Sequence, residues 1–311
     1  MFATKMFDSR RKSSDGIGES IIGARDSATA MAMAGLGFNV VKKEIATLDG
    51  IYIPDKFATV RDDTNDVLGI VGKQYTIVQN AEAFSFTDEL VGAGMTYETA
   101  GYFGKGEKLW LEGILPGDYK ILGDEIAPYV VFMNTHDGSG SVKVALTFTR
   151  VICSNTLNLA IKSAKRCFSF IHKGSVSAKI DEARQVLGLA DAYMNALNAE
   201  MEKLAMVKIS PIQFEKVVLP ALFKVDEDTM SPRQIETKME QRAELRYRYQ
   251  KAPDLQGIGF NGARLVQAVA DYVDHSEPGR ETKDWKKNRF ASQIQGNEML
   301  DKARDIVLAV A

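Results

Sequence analysis

A change of period near residue 175 limits the folds open to this chain more than any other feature. Before that point apolar residues alternate or run in short β-branched stretches, and after it they recur three and four positions apart. Such a pattern excludes an all-helical bundle, and it excludes a doubly wound sheet in which strands and helices take turns. FNVVKKEIA, GIYIPDKFATVR, DVLGIVGKQYTIV, MTYETAGYFGKGEKLWLEGIL, PYVVFMNTH and SVKVALTFTRVIC read as strands separated by Asp-Gly, Gly-Lys-Gly and Asp-Gly-Ser-Gly turns. One helix interrupts them, with Asn80 in the capping position and Ala83, Phe84, Phe86, Thr87, Leu90 and Val91 as its apolar stripe.

Beyond Ser175, VSAKIDEARQVLGLADAYMNALNAEMEKLAMV predicts a long amphipathic helix, and the pairs Ser210-Pro211 and Ser231-Pro232 open two more. Further helices are expected from about Asn261 to His275 and from Asn297 to Val310. The expected class is α+β: an antiparallel β-sheet of hairpins with one inserted helix, followed by a C-terminal helical region. The expected units are a flexible arm over 1–37 with one short helix near Asp26 to Ala34, a sheet core over 38–175 and a helical region over 176–311.

Charge narrows the choice of partners. Lys and Arg number 39 against 41 Asp and Glu, a net charge of -2, so affinity for a polyanion requires a local patch. One stretch supplies it. Between Asp137 and Asp181 there is no carboxylate, while Lys143, Arg150, Lys162, Lys165, Arg166, Lys173 and Lys179 all fall there. Like-signed side chains with no local counter-charge suit a phosphate backbone. A second cluster, ELRYRYQK, sets Arg246 and Arg248 beside Tyr247 and Tyr249, with Arg242 one turn earlier, and pairs phosphate-forking guanidinium groups with rings on which bases stack. A third, KDWKKNRF, reads as a loop with Lys283, Lys286, Lys287 and Arg289 around Trp285. For the first cluster the structural alternative is pairing with carboxylates from elsewhere in the fold, and for the second it is a solvated helix with its tyrosines anchored on the core.

The turn NTHDGSG is the other polar concentration. Asn134, His136 and Asp137 are expected to build a hairpin turn through side-chain to backbone hydrogen bonds, with Gly138 and Gly140 at positive φ. His136-Asp137 and Asp274-His275 would make a two-imidazole, two-carboxylate metal site if the fold joined them, but no spacing requires it, and no metal or other cofactor is expected. Cys153 reads as a buried thiol; with Cys167 it forms no CxxC, which excludes a zinc ribbon and suits a reducing compartment. No nucleophile elbow, phosphate loop or dinucleotide fingerprint occurs, so no enzyme is expected. No run of roughly eighteen apolar residues occurs, so no membrane partner is expected and the cytoplasm is the expected location.

Taken together, NTHDGSGSVKVALTFTRVICSNTL, the helix end ADYVDH and the tail KKNRFASQIQGNEMLDKARDIVL resemble the phage/plasmid-like protein family, the domain of unknown function numbered 932. The likeness runs from about residue 38 to the end; Thr135 replaces the family's Ser, and Leu265 and Val266 depart from its pattern. It implies a phage, prophage or plasmid gene. The order of elements is also similar to that of single-strand annealing proteins, which implies homo-oligomers. The expected function is therefore binding of single-stranded DNA, with annealing of complementary strands and no nucleotide hydrolysis. Lys143, Arg150, Lys162, Lys165, Arg166, Lys173, Arg246, Arg248 and Trp285 would be the contacts. The rival is a phage factor that binds a host protein, and a third reading is a metal-dependent hydrolase using His136, Asp137 and His275.

Overall fold

Alternation in the first half of the chain resolves into two antiparallel sheets rather than one. A computed structural model of the chain describes residues 18–139, 142–150, 157–161, 163–169, 176–277, 281–282 and 285–311. Its elements begin with β1 (Glu19–Ser20), α1 (Ser27–Met33), β2 (Val40–Ala46), β3 (Tyr52–Arg61), β4 (Val67–Gly72), α2 (Asn80–Phe84) and α3 (Thr87–Gly92). The larger sheet adds β5 (Thr96–Phe103), β6 (Lys108–Ile114), β7 (Tyr119–Ile121), β8 (Asp124–Thr135), β9 (Lys143–Arg150) and β10 (Cys167–Ser169). Its path is β1-β5-β6-β8-β9-β10, with β7 paired to β8, while β2-β3-β4 stand apart. The separation falls at α2 and α3, which the sequence presents as one helix and which break at Ser85 and Phe86.

The helical half follows as α4 (Val176–Met206), α5 (Pro211–Gln213), a π-helical turn over Phe214–Val218, α6 (Leu219–Leu222), α7 (Pro232–Lys251), α8 (Gly262–His275), α9 (Trp285–Gln295) and α10 (Glu298–Val310). Ser210 and Ser231 each form a capping box with the Gln three residues on, as the Ser-Pro openings suggest. Asn261 and Asn297 cap α8 and α10. Pro220 lacks the N–H that a regular helix would use at that position, and the π-helical turn lies just before it.

The two halves share one core. Phe148 of β9 stacks on Tyr193 of α4 at 4.8 Å, and Tyr193 donates its hydroxyl to the carbonyl of Leu159 at 2.6 Å. The other face of the large sheet carries Trp110, Val131 and Ala145, and α9 covers them with Phe290 and Ile294. Trp285, expected in a loop, instead opens α9. The expected flexible arm over 1–37 is corrected for residues 18–37 alone, since 1–17 lie outside the described residues. Glu19 and Ser20 pair with Ala100 and Thr99, and Ile21 and Leu36 are fully buried, so this stretch is part of the core from β1 onward. Its one short helix lies where the sequence places it, capped by Asp26.

Arginines tie the helix ends to their neighbours. Arg264 donates to the carbonyls of Tyr249, Leu255 and Ile258 at 2.6 Å each, closing the end of α7. Arg242 donates to Phe223 O at 2.7 Å after α6, and Arg289 to Ser276 O after α8. Tyr249 O lies in the last turn of α7, and Phe223 O and Ser276 O lie just past α6 and α8, where carbonyls run out of helical partners, so a fixed fork of donors satisfies what would otherwise be costly to bury.

Of the buried polar atoms without a hydrogen-bond partner among the described residues, two belong to one side chain. Gln267 of α8 is fully buried, and both its amide oxygen and its amide nitrogen lack hydrogen bonds. An unsatisfied amide costs about 1–3 kcal/mol. Gln267→Met is therefore expected to raise the urea midpoint and the melting temperature, by about 1 kcal/mol or more; a lowered midpoint would contradict this assignment.

Candidate functional site

The turn singled out in the sequence is the point where both sheets and the α2 segment meet. Asn80 is buried, and rather than capping α2 it sends its amide nitrogen to Leu36 O and Phe38 O at 3.0 and 3.2 Å. Its Oδ1 is thus the acceptor that faces His136 Nε2 at 2.8 Å and Asn134 Nδ2 at 3.2 Å. Asn134 Nδ2 also donates to Val78 O at 2.9 Å, and its Oδ1 accepts from Thr135 N at 3.0 Å. This pattern assigns the imidazole proton to Nε2.

The main chain of the turn is held as firmly. His136 N donates to Glu107 O at 2.8 Å, and His136 O accepts from the Thr59 hydroxyl of β3 at 2.7 Å. Tyr75 donates its hydroxyl to Thr135 O at 2.9 Å. Gly69 of β4 has no room for a side chain, because a Cβ there would lie 2.6 Å from Asp137 Cα. Asp137 accepts from Ser139 N at 2.8 Å and Gly138 has φ +79°, as expected of the turn, but the His136 imidazole bonds the Asn80 side chain and not the turn's backbone; Gly140 lies outside the described residues. Beside the turn, the Arg61 guanidinium lies 3.7 Å from the centre of the Phe38 ring, forks onto Asp63 at 2.8 and 2.9 Å and donates to Lys105 O at 2.8 Å.

Electrostatics follow from this burial. Burial, opposed only by the charge of Asp137, pushes the His136 imidazole down to about 4. Burial also works against the Asp137 charge, but hydrogen bonds from Ser139 and the nearby Lys108 hold that carboxyl below its ordinary value. His136 is therefore neutral at pH 7, with Nε2 engaged and Nδ1 enclosed without a partner. Asp274 of the second His-Asp pair accepts from Gln293 at 3.3 Å. Among the described residues no group of three or more His, Cys, Asp or Glu is placed to hold a metal ion.

The expected phosphate contacts divide. Arg166 is buried, donating to Leu146 O at 3.5 Å and to Ile294 O, where it ties the end of α9 to the sheet. Arg248 is buried between Asp271 at 2.5 Å and Glu244 at 2.8 Å. Arg246 forks onto Glu215 at 2.6 and 2.8 Å. Arg166 and Arg248 offer no free guanidinium groups, because internal carbonyls and buried carboxylates take them, while the partly exposed Arg246 is held by a two-pronged fork on Glu215 that a single lysine pair lacks. Trp285 is half-buried, with Arg289 stacked 4.7 Å from its ring. Lys143 and Lys165 are exposed. The side chain of Arg150, together with Lys162, Lys173 and Cys153, lies outside the described residues.

The sequence reading missed Lys42 and Lys108. Lys108 is opposite Thr135, and Lys143 opposite Met133, so both lie on one face at one end of the large sheet. Lys42 sits 5.5 Å from the Phe57 ring and 6.0 Å from that of Tyr75, whose hydroxyl holds Thr135. Cations from three distant segments thus gather around the turn, a proximity that only strand register reveals.

Fold and site together define a two-sheet α+β protein with a buried Asn-His-Asn node and a lysine-bearing rim. The family described as Domain of unknown function (DUF932) matches residues 67–294, which is most of the chain, and the chain belongs to that family. The match runs from β4 through the node to α9, a narrower span than the resemblance from residue 38 onward. No curated protein and no solved structure matches the chain. No helix among the described residues is long and apolar enough to cross a membrane.

The node generates a pH prediction. The unfolded imidazole titrates near 6.5 and the folded one at about 4, so the unfolded chain takes up its proton first. The contribution is complete above the unfolded value and is lost as pH falls toward the folded one, amounting to about 3 kcal/mol in total. The wild-type urea midpoint is expected to fall between about pH 6.5 and 5. His136→Gln is expected to be less stable at pH 7 and to lose that slope; an unchanged slope would contradict the burial of His136.

Proposed function

We propose that the chain binds single-stranded DNA in phage or plasmid DNA metabolism and acts without catalysing a reaction, in the cytoplasm of the host cell. The observation that carries this reading is the lysine rim: Lys108 and Lys143 share a face, Lys105 lies at the adjoining turn, and Lys42 stands over two aromatic rings. Lys105 meets Asp66 at 2.8 Å with its side chain 60% exposed, and Lys108 meets Asp137 at 3.5 Å with its side chain half-buried. Exposed pairs of this kind are worth about 0–1 kcal/mol, so a phosphate can displace the carboxylate. The aromatic rings offer stacking surfaces beside the cations. Annealing is the extension of this reading, since duplex formation itself supplies the free energy and no nucleotide need be hydrolysed. The track differs from the one expected in the sequence, because Arg166, Arg246 and Arg248 are occupied elsewhere.

Affinity for a single strand is expected to fall steeply with salt. Lys108→Ala and Lys143→Ala should each lower affinity and flatten the log-log slope by about 0.7, as the loss of one phosphate contact does. Arg246→Ala should leave the slope unchanged. A titration by fluorescence anisotropy at several salt concentrations decides this, and binding that ignores salt would overturn the reading.

A second reading, binding of a host or phage protein, has its own observation. The β2–β3 hairpin runs past the end of β4, and Leu48, Ile51 and Tyr52 are exposed at its tip. Apolar residues projecting in this way mark contact surfaces. Nuclease-resistant capture of one stoichiometric partner, abolished by Leu48→Asp with Ile51→Asp, is the outcome expected of it; capture unaffected by those changes would exclude the tip.

A further inference from the structure

The small sheet has two edges of different character. β2 carries Lys42, Lys43 and Glu44 in sequence, charges of the kind that keep an edge strand from pairing with other chains. β4 reads Val-Leu-Gly-Ile-Val-Gly, with no charge and no proline, and among the described residues its outer edge pairs with nothing. A register shift between Thr59 and Val60 places Leu68 in a bulge, which brings Val67 and Ile70 onto the same face. There Val67 is 53% and Ile70 63% exposed, beside Ala58 and Val60, which are buried. The opposite face of β4 is taken, since Gly69 and Val71 lie under the Asp137–Gly138 turn.

We propose that β4 is a dimer contact, in which the β4 strands of two copies of this chain pair antiparallel about a two-fold axis and merge two three-stranded sheets into one. Charge at the strand ends identifies the occupant as a second copy. β4 is preceded by the acidic turn Asp62, Asp63 and Asp66, of which Asp63 is forked by Arg61 and Asp66 meets Lys105 in a surface pair, and it is followed by Lys73. Antiparallel self-pairing lays the acidic end of each copy beside the lysine of the other, a complementarity that one strand satisfies twice by symmetry. Lys73 is free to take part: its own partner, Asp55, is 3.7 Å away, and both side chains are about three-quarters exposed. The pairing keeps each face on its own side, so Val67 and Ile70 of both copies form one apolar strip.

Sedimentation equilibrium of the full chain without nucleic acid tests this independently of the proposed function. The wild type is expected to be a dimer, and Val67→Lys with Ile70→Lys a monomer with an unchanged circular dichroism spectrum. Val41→Lys, on the same face at the guarded edge, should remain dimeric. Lys73→Asp should weaken the dimer at least tenfold, and adding Asp66→Lys should restore it, which the apolar variants cannot show. A wild type that is monomeric throughout, a dimer indifferent to the β4 changes, or failure of the charge swap to restore association would each overturn the proposal.

Discussion

A single buried hydrogen-bonded node, Asn80 with His136 and Asn134, fixes how the parts of this chain sit against one another. Its acceptors are the carbonyls of Leu36, Phe38 and Val78, which come from segments far apart in sequence. Buried side-chain amides without partners cost more than the net worth of most hydrogen bonds, so a node in which every amide group is engaged strongly prefers one arrangement. The small sheet follows from it. Once the turn is anchored, Gly69 and Thr59 can meet its main chain, and Arg61 closes the gap over Phe38.

The helical half is held by a different device. Arg166, Arg242, Arg264 and Arg289 each donate to a carbonyl at or just beyond a helix end. A residue type that favours phosphate serves here as an internal fastener, because the orphan carbonyls of a helix terminus present the same kind of oxygen acceptor. The surface cations left after this use are mostly lysines, and the lysines around the turn lie on strands.

Much of the fold was legible because it rests on local rules. Period two gave the strands β2 to β6, β8 and β9, and Ser-Pro openings and Asn caps gave α5, α7, α8 and α10 near their observed ends. The Asn134 to Gly138 turn was legible for the same reason. What escaped depends on contacts between distant segments. Asn80 looked like a cap because that is the common role before an apolar stripe, and only its meeting with His136, 56 residues on, gives it another. Arg248 and Arg166 looked like free cations because Asp271 and Ile294 are remote in sequence. Trp285 and its neighbours are too polar for a clear periodic signal, yet Phe290 and Ile294 suffice to dock α9 on Trp110 and Ala145.

If the node is the keystone, His136 is a neutral, Nε2-protonated imidazole locked to Asn80 rather than a group poised for chemistry. Long-range nitrogen NMR of the imidazole across the acid range tests this most directly. The expected spectrum shows the Nε2–H tautomer at pH 7, with no titration until the pH approaches about 4. Titration near the ordinary value of 6.5, or a proton resident on Nδ1, would contradict it.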